Sequence, residues 1–575
     1  MISRRSIGES ISKICCDRRG PLKGRHLEQS PIRLASLAQG KLHEVERFPW
    51  NQLKGCAVGF LDFARDDSLS STAVSEAVEE AIVPEEPVPP VVAGGLSGFI
   101  AKFTVLKGAK RELWLTFLIK FFIYTAYSVT NKTMVLWLSK DLGFSDQASG
   151  ALVGWVWAPA MTVFTLLAGS ITDAIGLRRT FFLGVAICTV ARSVMVVTTI
   201  PSLALACGVL PLAVGEALGT PVLLAATRRY STTAQRSISF SIIYSVMNIG
   251  YVVAGYLFDY VRQLNLHVSL FGFEPTAYQQ LFIVSLIFEI VLFPVIYFVR
   301  RGAEASNGGP VIDESSRNRG TASSFWSGIG ATVRKSAMDT AHLFRRLVSQ
   351  SAFYRLLVFF LFIGFIKAIF LQMDYVFPKF GIRELGFNAP VGKLAAINAI
   401  IIIFLVPIVG ALTQQFAAYR MVVIGGAICA AGVFIMALPT QWFQPATNSL
   451  IGQWLGHGYL GLHGDIHPYY IMSALYLAVF SIGESFYSPR VYEYAAAIAP
   501  PGQEASYGSL AYLPFLVGKI LVGTGGWLLA AFVPEHGPRH PATMWLIFAL
   551  AASVAPIGLI ALRRYIRVPE AGRPD

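Results

Sequence analysis

Nine charged side chains stand inside apolar stretches of this 575-residue chain: Lys120, Arg192, Glu216, Glu289, Lys367, Glu484, Arg490, Glu493 and Lys519. At bilayer depth a charge costs at least about 2.5 kcal/mol even on lenient scales, so each must face a partner or a water-filled path. As a set they imply a hydrated central route; for each residue singly, a structural ion pair is the competing reading. Lys120, Tyr124 and Tyr127 recur at helical spacing and share one face. Snorkelling is the other reading of Lys120, but its depth in the run opposes it. Glu484, within FSIGESFYSP, is the candidate for holding a cationic group or exchanging a proton, with Gly483 and Pro489 loosening its helix and Lys519 as its expected partner.

These side chains need long apolar helices to carry them. Hydrophobic residues make up 54% of the chain and charged residues 14%, about half the share usual in a soluble protein. Runs long enough to span a bilayer fall near 113–138, 150–172, 180–200, 203–226, 238–258 and 280–299, and again near 353–376, 393–415, 420–438, 469–494, 505–532 and 543–562. The predicted fold is an all-α integral membrane protein of twelve helices in two pseudo-symmetric six-helix halves. The segments are an N-terminal tail (1–112), a first half (113–299), a linker (300–352), a second half (353–562) and a short C-terminal tail (563–575).

The acidic, Pro-rich stretch from Ser75 to Pro90 cannot bury a core, so the N-terminal tail is expected to stay extended. No early apolar run reads as a secretory signal, which leaves insertion to the first span. The later part of the linker, 325–350, has the pattern of an amphipathic helix on the membrane surface. Arg178, Arg179, Arg228, Arg229, Arg300, Arg301, Arg420 and Arg563 share one side, which the positive-inside rule makes cytoplasmic together with both termini. Lys379, Arg383 and Lys393 are the exception. The plasma membrane is the expected host, an organelle membrane the alternative.

The net charge of +13 lies in loops and tails rather than on one soluble face, which argues against nucleic acid. Six cysteines form no disulfide framework; Cys188, Cys207 and Cys429 read as packing residues, and Cys15 and Cys16 as an unmodified pair. His457, His463, Asp465 and His467 share a loop that could bind zinc or sense pH, but a solvated glycine-rich loop is the preferred reading, so no metal is expected. The absence of Walker A, GxSxG and HExxH patterns removes support for ATP-driven transport and for familiar membrane hydrolases.

Between the second and third spans lies GSITDAIGLRR, in which Gly169, Asp173, Gly176, Arg178 and Arg179 could clamp two helix ends. The segment resembles the GxxxDRxGRR loop motif of the major facilitator superfamily, with Ala174 at its first arginine. GALTQQFAAYR, from Gly410 to Arg420, answers it faintly in the second half, with Gln414 in place of Asp173. Narrower stretches resemble the proton-coupled oligopeptide transporter family: FSIIYSVMNIG (Phe240 to Gly250), INAIIIIFLVP (Ile397 to Pro407) and GESFYSPRVYEYAAAIAP (Gly483 to Pro500), with Gln372 where that family often has glutamine.

The resemblance implies a carrier and gives Glu484 the place where the family binds a peptide's amino end. Aligning VLWL (Val135 to Leu138) with the family's VLYL puts Lys120, Ile123 and Tyr124 at the positions of its first-span glutamates and arginine. Thr220 stands at the lysine of its fourth-span motif. Both cationic groups that grip a peptide carboxylate are therefore absent, and Lys120 is the candidate substitute.

The expected function is secondary active transport of a small polar or amphiphilic organic solute, peptide-like, amino-acid-like or other, by alternating access, with no enzymatic activity. Lys120, Tyr124, Tyr127, Arg192 and Glu216 would form one half of the site, and Lys367, Gln372, Glu484 and Lys519 the other. No cofactor is expected; protons are the candidate coupling ion, through Glu484 or Glu216. The partners are the solute and the lipid bilayer, and the chain is expected to be monomeric. A non-transporting sensor or scaffold on the same fold is the alternative.

Overall fold

A computed structural model describes residues 106–264, 273–300, 338, 345, 348–413, 416–498 and 513–567. The N-terminal tail as far as residue 105, with Cys15 and Cys16, and nearly all of the expected amphipathic linker helix lie outside the described residues. So do Gln414, residues 499–512, residues 568–575, and the side chains of Asp173, Thr220 and Glu493.

Twelve helices in the described residues are long and apolar enough to cross a membrane. We label them α1 (Arg111–Lys140), α2 (146–175), α3 (Leu177–Val197), α4 (Pro201–Tyr230), α5 (Thr233–Leu264) and α6 (Ala277–Tyr297). The second set is α7 (Ser351–Leu385), α8 (Val391–Leu412), α9 (Ala418–Phe434), α10 (Pro468–Ile498), α11 (Leu513–Phe532) and α12 (Pro541–Ala561). Each overlaps one predicted span. Connections are short where the chain turns tightly: Gly176, at φ +84°, is the single residue between α2 and α3, a backbone geometry that favours glycine.

Packing repeats between the sets. In the first, α1 lies against α5 and α6, and α3 against α4 and α6; in the second, α7 lies against α11 and α12, and α9 against α10 and α12. The sets meet through α2 with α11 and α5 with α8. Both crossings use glycine. A Cβ on Gly154 would stand 2.5 Å from the Gly523 nitrogen, and one on Gly255 2.5 Å from the Gly392 oxygen, so only bare backbone permits the approach. Val190, Ile287, Leu550 and Ile560 point outward, as apolar residues must where lipid is the solvent. Inward, Trp545 packs against Phe377, Phe380 and Tyr476.

Three sequence expectations are corrected. The seventh span, expected to end at 376, continues as α7 to Leu385 and carries Lys379 and Arg383 on the helix. The glycine-rich segment before α10 is a loop only in part: 454–460 forms a helical turn, with His457 Nδ1 2.8 Å from the Leu462 oxygen, whereas 461–467 is loop, with His463, Asp465 and His467 exposed as expected and His467 stacked on Tyr469. Near Glu484, α10 runs unbroken through Pro489. The local break falls instead in α4 at Leu218, two residues after Glu216. There Pro221 lacks the N–H that would bond the Ala217 carbonyl.

Candidate functional site

A cavity of about 650 Å³ lies between the two helix sets. Residues from α1 to α7, α10 and α11 contribute to its lining. Seven of the nine sequence-predicted charges converge on it: Lys120, Arg192, Glu216, Glu289, Lys367, Glu484 and Lys519, together with Tyr124 and Tyr127. The lining reaches Phe181, Leu224 and Phe240, near the ends of α3, α4 and α5 that carry the basic loops. We call this the basic end.

On the first-set side, Arg192 is the hub. Its guanidinium lies 2.9 Å from Glu216 and 3.1 Å from Glu289 and donates to Thr130 Oγ1 at 3.1 Å, while Thr130 donates to Ser285. One arginine thereby ties α1, α3, α4 and α6 together and shares its charge between two buried carboxylates. Breaking such a network strands a charge at a cost of about 3–5 kcal/mol.

On the second-set side, Glu484 accepts a hydrogen bond from Asn398 Nδ2 at 3.1 Å, and the same amide donates to Ser481 at 2.9 Å. The expected Glu484–Lys519 pair is not formed: the cation whose field reaches Glu484 is Lys367. The Lys519 ammonium instead contacts the Met161 sulfur at 3.2 Å and lies 4.8 Å from the Trp157 ring centre, across the junction of α11 with α2. Helix rotation decides this, because Lys519 points toward the first set rather than toward α10.

Lys120 and Lys367 also rest on aromatic faces. The Lys120 ammonium stands 3.7 Å from the Tyr124 ring centre, and Lys367 lies 4.9–5.4 Å from those of Phe515, Tyr487 and Phe370. Among the described residues none of the three lysines forms an ion pair.

Three further predicted residues take other roles. Gln372 is buried beside Gly525, where a Cβ would meet its amide at 2.6 Å, and is not among the described lining residues. Arg490 donates to the Thr413 carbonyl at 2.8 Å and ties α10 to the end of α8. In the clamp, Arg178 stacks on Phe182 and Tyr297, with guanidinium-to-ring distances of 5.8 and 5.1 Å. Arg179 forms no ion pair among the described residues, and the surroundings of Gly169 and the side chain of Asp173 lie outside them. The histidine segment does not gather into a metal site: no three His, Cys, Asp or Glu residues converge among the described residues.

Sequence reasoning missed the opposite end of the bundle. There Lys132 on α1 meets Asp374 on α7 at 2.5 Å. Asp146 on α2 receives Lys379 at 2.7 Å and Arg383 at 2.8 Å, both from α7. Asp259 on α5 accepts the backbone N–H groups of Gly392 and Lys393 at the start of α8, at 2.9 and 2.6 Å. Arg262 donates to the Ala389 carbonyl at 2.5 Å, and Lys140 pairs with Glu535. Each contact joins the first six helices to the last six. The exceptional cations at the end of α7 are therefore one half of an interlock. The usable signal was Lys132 and Asp374 themselves, charges inside predicted spans.

The Major Facilitator Superfamily model matches residues 116–459, and the chain belongs to that superfamily. It is a multi-pass integral membrane transporter rather than an enzyme. Among solved structures, it is similar to a bacterial homologue of the human drug peptide transporters PepT1 and PepT2, at 18% identity over 79% of this chain and 98% of that one, with a TM-score of 0.55. It is also similar to a POT family transporter in complex with a thioalcohol-conjugated peptide, at 14% identity over 80% and 97% of the two chains and a TM-score of 0.58. A POT family transporter in complex with 5-aminolevulinic acid is matched at 14% identity over the same shares, with a TM-score of 0.57. At these identities the likeness establishes the shared fold. No curated protein matches the chain in sequence.

Proposed function

We propose that this transporter is a secondary carrier that moves a small polar or amphiphilic organic solute by alternating access, with both termini in the cytoplasm and the plasma membrane as host. The observation that carries the reading is the one-sidedness of the contacts between the two helix sets. Ion pairs and backbone hydrogen bonds interlock them at the end away from the basic loops, while the charged cavity extends toward the basic end. With the basic end cytoplasmic, this is an inward-facing arrangement. Opening the other end requires those pairs to part, which water can compensate only once the two sets separate.

Within the same proposal, Glu484 carries the coupling proton. It lines the cavity, accepts a hydrogen bond from Asn398 and lies within reach of the Lys367 charge, so its protonation changes what the site offers a solute. A single chain contains the whole cavity, so the working unit is a monomer. Uptake into proteoliposomes, run across peptides, amino acids, nucleosides and organic acids with and without an inward proton gradient, tests the proposal. Saturable flux of at least one class, accelerated by the gradient, is expected; the absence of saturable flux for every class in both directions would overturn it.

A further inference from the structure

Arg192 is already shared between Glu216 and Glu289, and Glu484 is engaged by Asn398. The charged groups of the cavity that this leaves without ion-pair partners among the described residues are three lysines, Lys120, Lys367 and Lys519. Each is at least nine-tenths buried, at 3%, 6% and 7% exposure. They stand on α1, α7 and α11, so they belong to both helix sets and face one shared volume.

An aromatic face steadies an ammonium but offsets only part of its desolvation, whereas an anion supplies full counter-charge and charge-assisted hydrogen bonds. We propose that the cavity binds an organic anion bearing two or more carboxylate or phosphate groups, held jointly by Lys120, Lys367 and Lys519. This deepens the transporter reading and rests on it. Phe181, Phe240, Ile243 and Phe515 line the same space and suit a carbon body between the anionic groups. A volume of about 650 Å³ admits an organic molecule rather than a bare inorganic ion alone. A purely cationic solute fits poorly, because among the lining residues three lysine ammoniums stand against a single carboxylate, Glu484, outside the Arg192 network. Because the three lysines span both helix sets, such an anion would bridge them, which gives it a direct grip on the equilibrium between closed ends.

The test uses the full chain, in proteoliposomes for flux and in detergent for thermal stabilisation. Its arms are succinate and citrate for carboxylates, fructose 1,6-bisphosphate for phosphate esters, dialanine for a zwitterion, and tetraethylammonium for a cation. Saturable flux and stabilisation in a carboxylate or phosphate arm are expected, and the arm that responds identifies the anionic group. Lys120→Gln, Lys367→Gln and Lys519→Gln should each raise KM for that anion about tenfold, with Lys→Arg at the same positions retaining most of the affinity. Dialanine or tetraethylammonium flux with no response to either anion class, unaffected by the three Gln variants, would overturn the anion site and leave the carrier reading standing. Anion stabilisation that the Gln variants abolish, without flux for any compound, would support the site and count against transport. Neither flux nor stabilisation in any arm would overturn both.

Discussion

The Lys132 ammonium on α1 lies 2.5 Å from the Asp374 carboxylate on α7, with side chains 5% and 9% exposed, and so joins the two helix sets through a buried charge pair. Lys132 also donates to Ser128 at 2.9 Å, which fixes the ammonium along its own helix. A buried pair of this kind contributes little net stability over an apolar substitute, but losing one partner is costly. It suits the proposed alternation, in which this contact forms and parts as a unit.

Asp374→Asn is therefore expected to strand the Lys132 charge and lower stability by about 3–5 kcal/mol, read as a lower melting temperature in detergent. The double variant Lys132→Met/Asp374→Leu should recover most of that stability while leaving transport impaired. A double variant as unstable as the single one would contradict the pairing.

The glycine crossings give a steric prediction. Gly154→Ala would place a methyl 2.5 Å from the Gly523 nitrogen, and Gly255→Ala would place one 2.5 Å from the Gly392 oxygen. Overpacking of this kind typically costs about 1–3 kcal/mol, here specifically in the arrangement that closes the end away from the basic loops. Uptake should fall at least about tenfold for each with protein still reaching the membrane. Gly410→Ala, with nothing within 4 Å of the added carbon, should transport normally.

Asp141, just beyond α1, gives a pH prediction. Burial raises its carboxyl from 3.8 to about 6, against the opposing hydrogen bond from the Thr276 hydroxyl. The folded protein thus holds this proton more tightly than the unfolded chain. Its stabilising contribution is present below about pH 4 and lost as pH rises to about 6. Melting temperature measured from pH 4 to 7 should decline more for the wild type than for Asp141→Asn, which keeps an acceptor for Thr276 and no titrating charge. Parallel curves would refute this.

Glu484→Gln should keep the hydrogen bond with Asn398 but lose the exchangeable proton. Gradient-driven accumulation should disappear while solute counterflow persists, as measured in the same vesicles. Accumulation that still follows the proton gradient would remove Glu484 from coupling.

Much of the scaffold was legible because lipid imposes a simple rule on sequence: every span must be long and apolar, and charges within it must turn inward. That rule brought Lys120, Arg192, Glu216, Lys367, Glu484 and Lys519 to the cavity. It could not assign partners, because Lys132 and Asp374 are 242 residues apart and meet only through the packing of α1 on α7. It also assigned Lys379 and Arg383 to a loop, since cations near a span end usually mark an interface. Their partner, Asp146, begins another helix and allows α7 to continue through them. Glu484 and Lys519 were joined by proximity along the chain, yet helix rotation turns them to different neighbours.

The central claim is that the interlocked end opens and closes during transport. Spin labels at Ser202→Cys, in the first turn of α4 at that end, and His463→Cys, between α9 and α10, would report it by pulsed electron resonance in lipid on an otherwise cysteine-free background. A short distance population that exchanges with a longer one when solute and proton gradient are supplied, and that Asp374→Asn shifts toward the longer one, is the predicted result. One unchanging distance under every condition, in protein that demonstrably transports, would contradict the account.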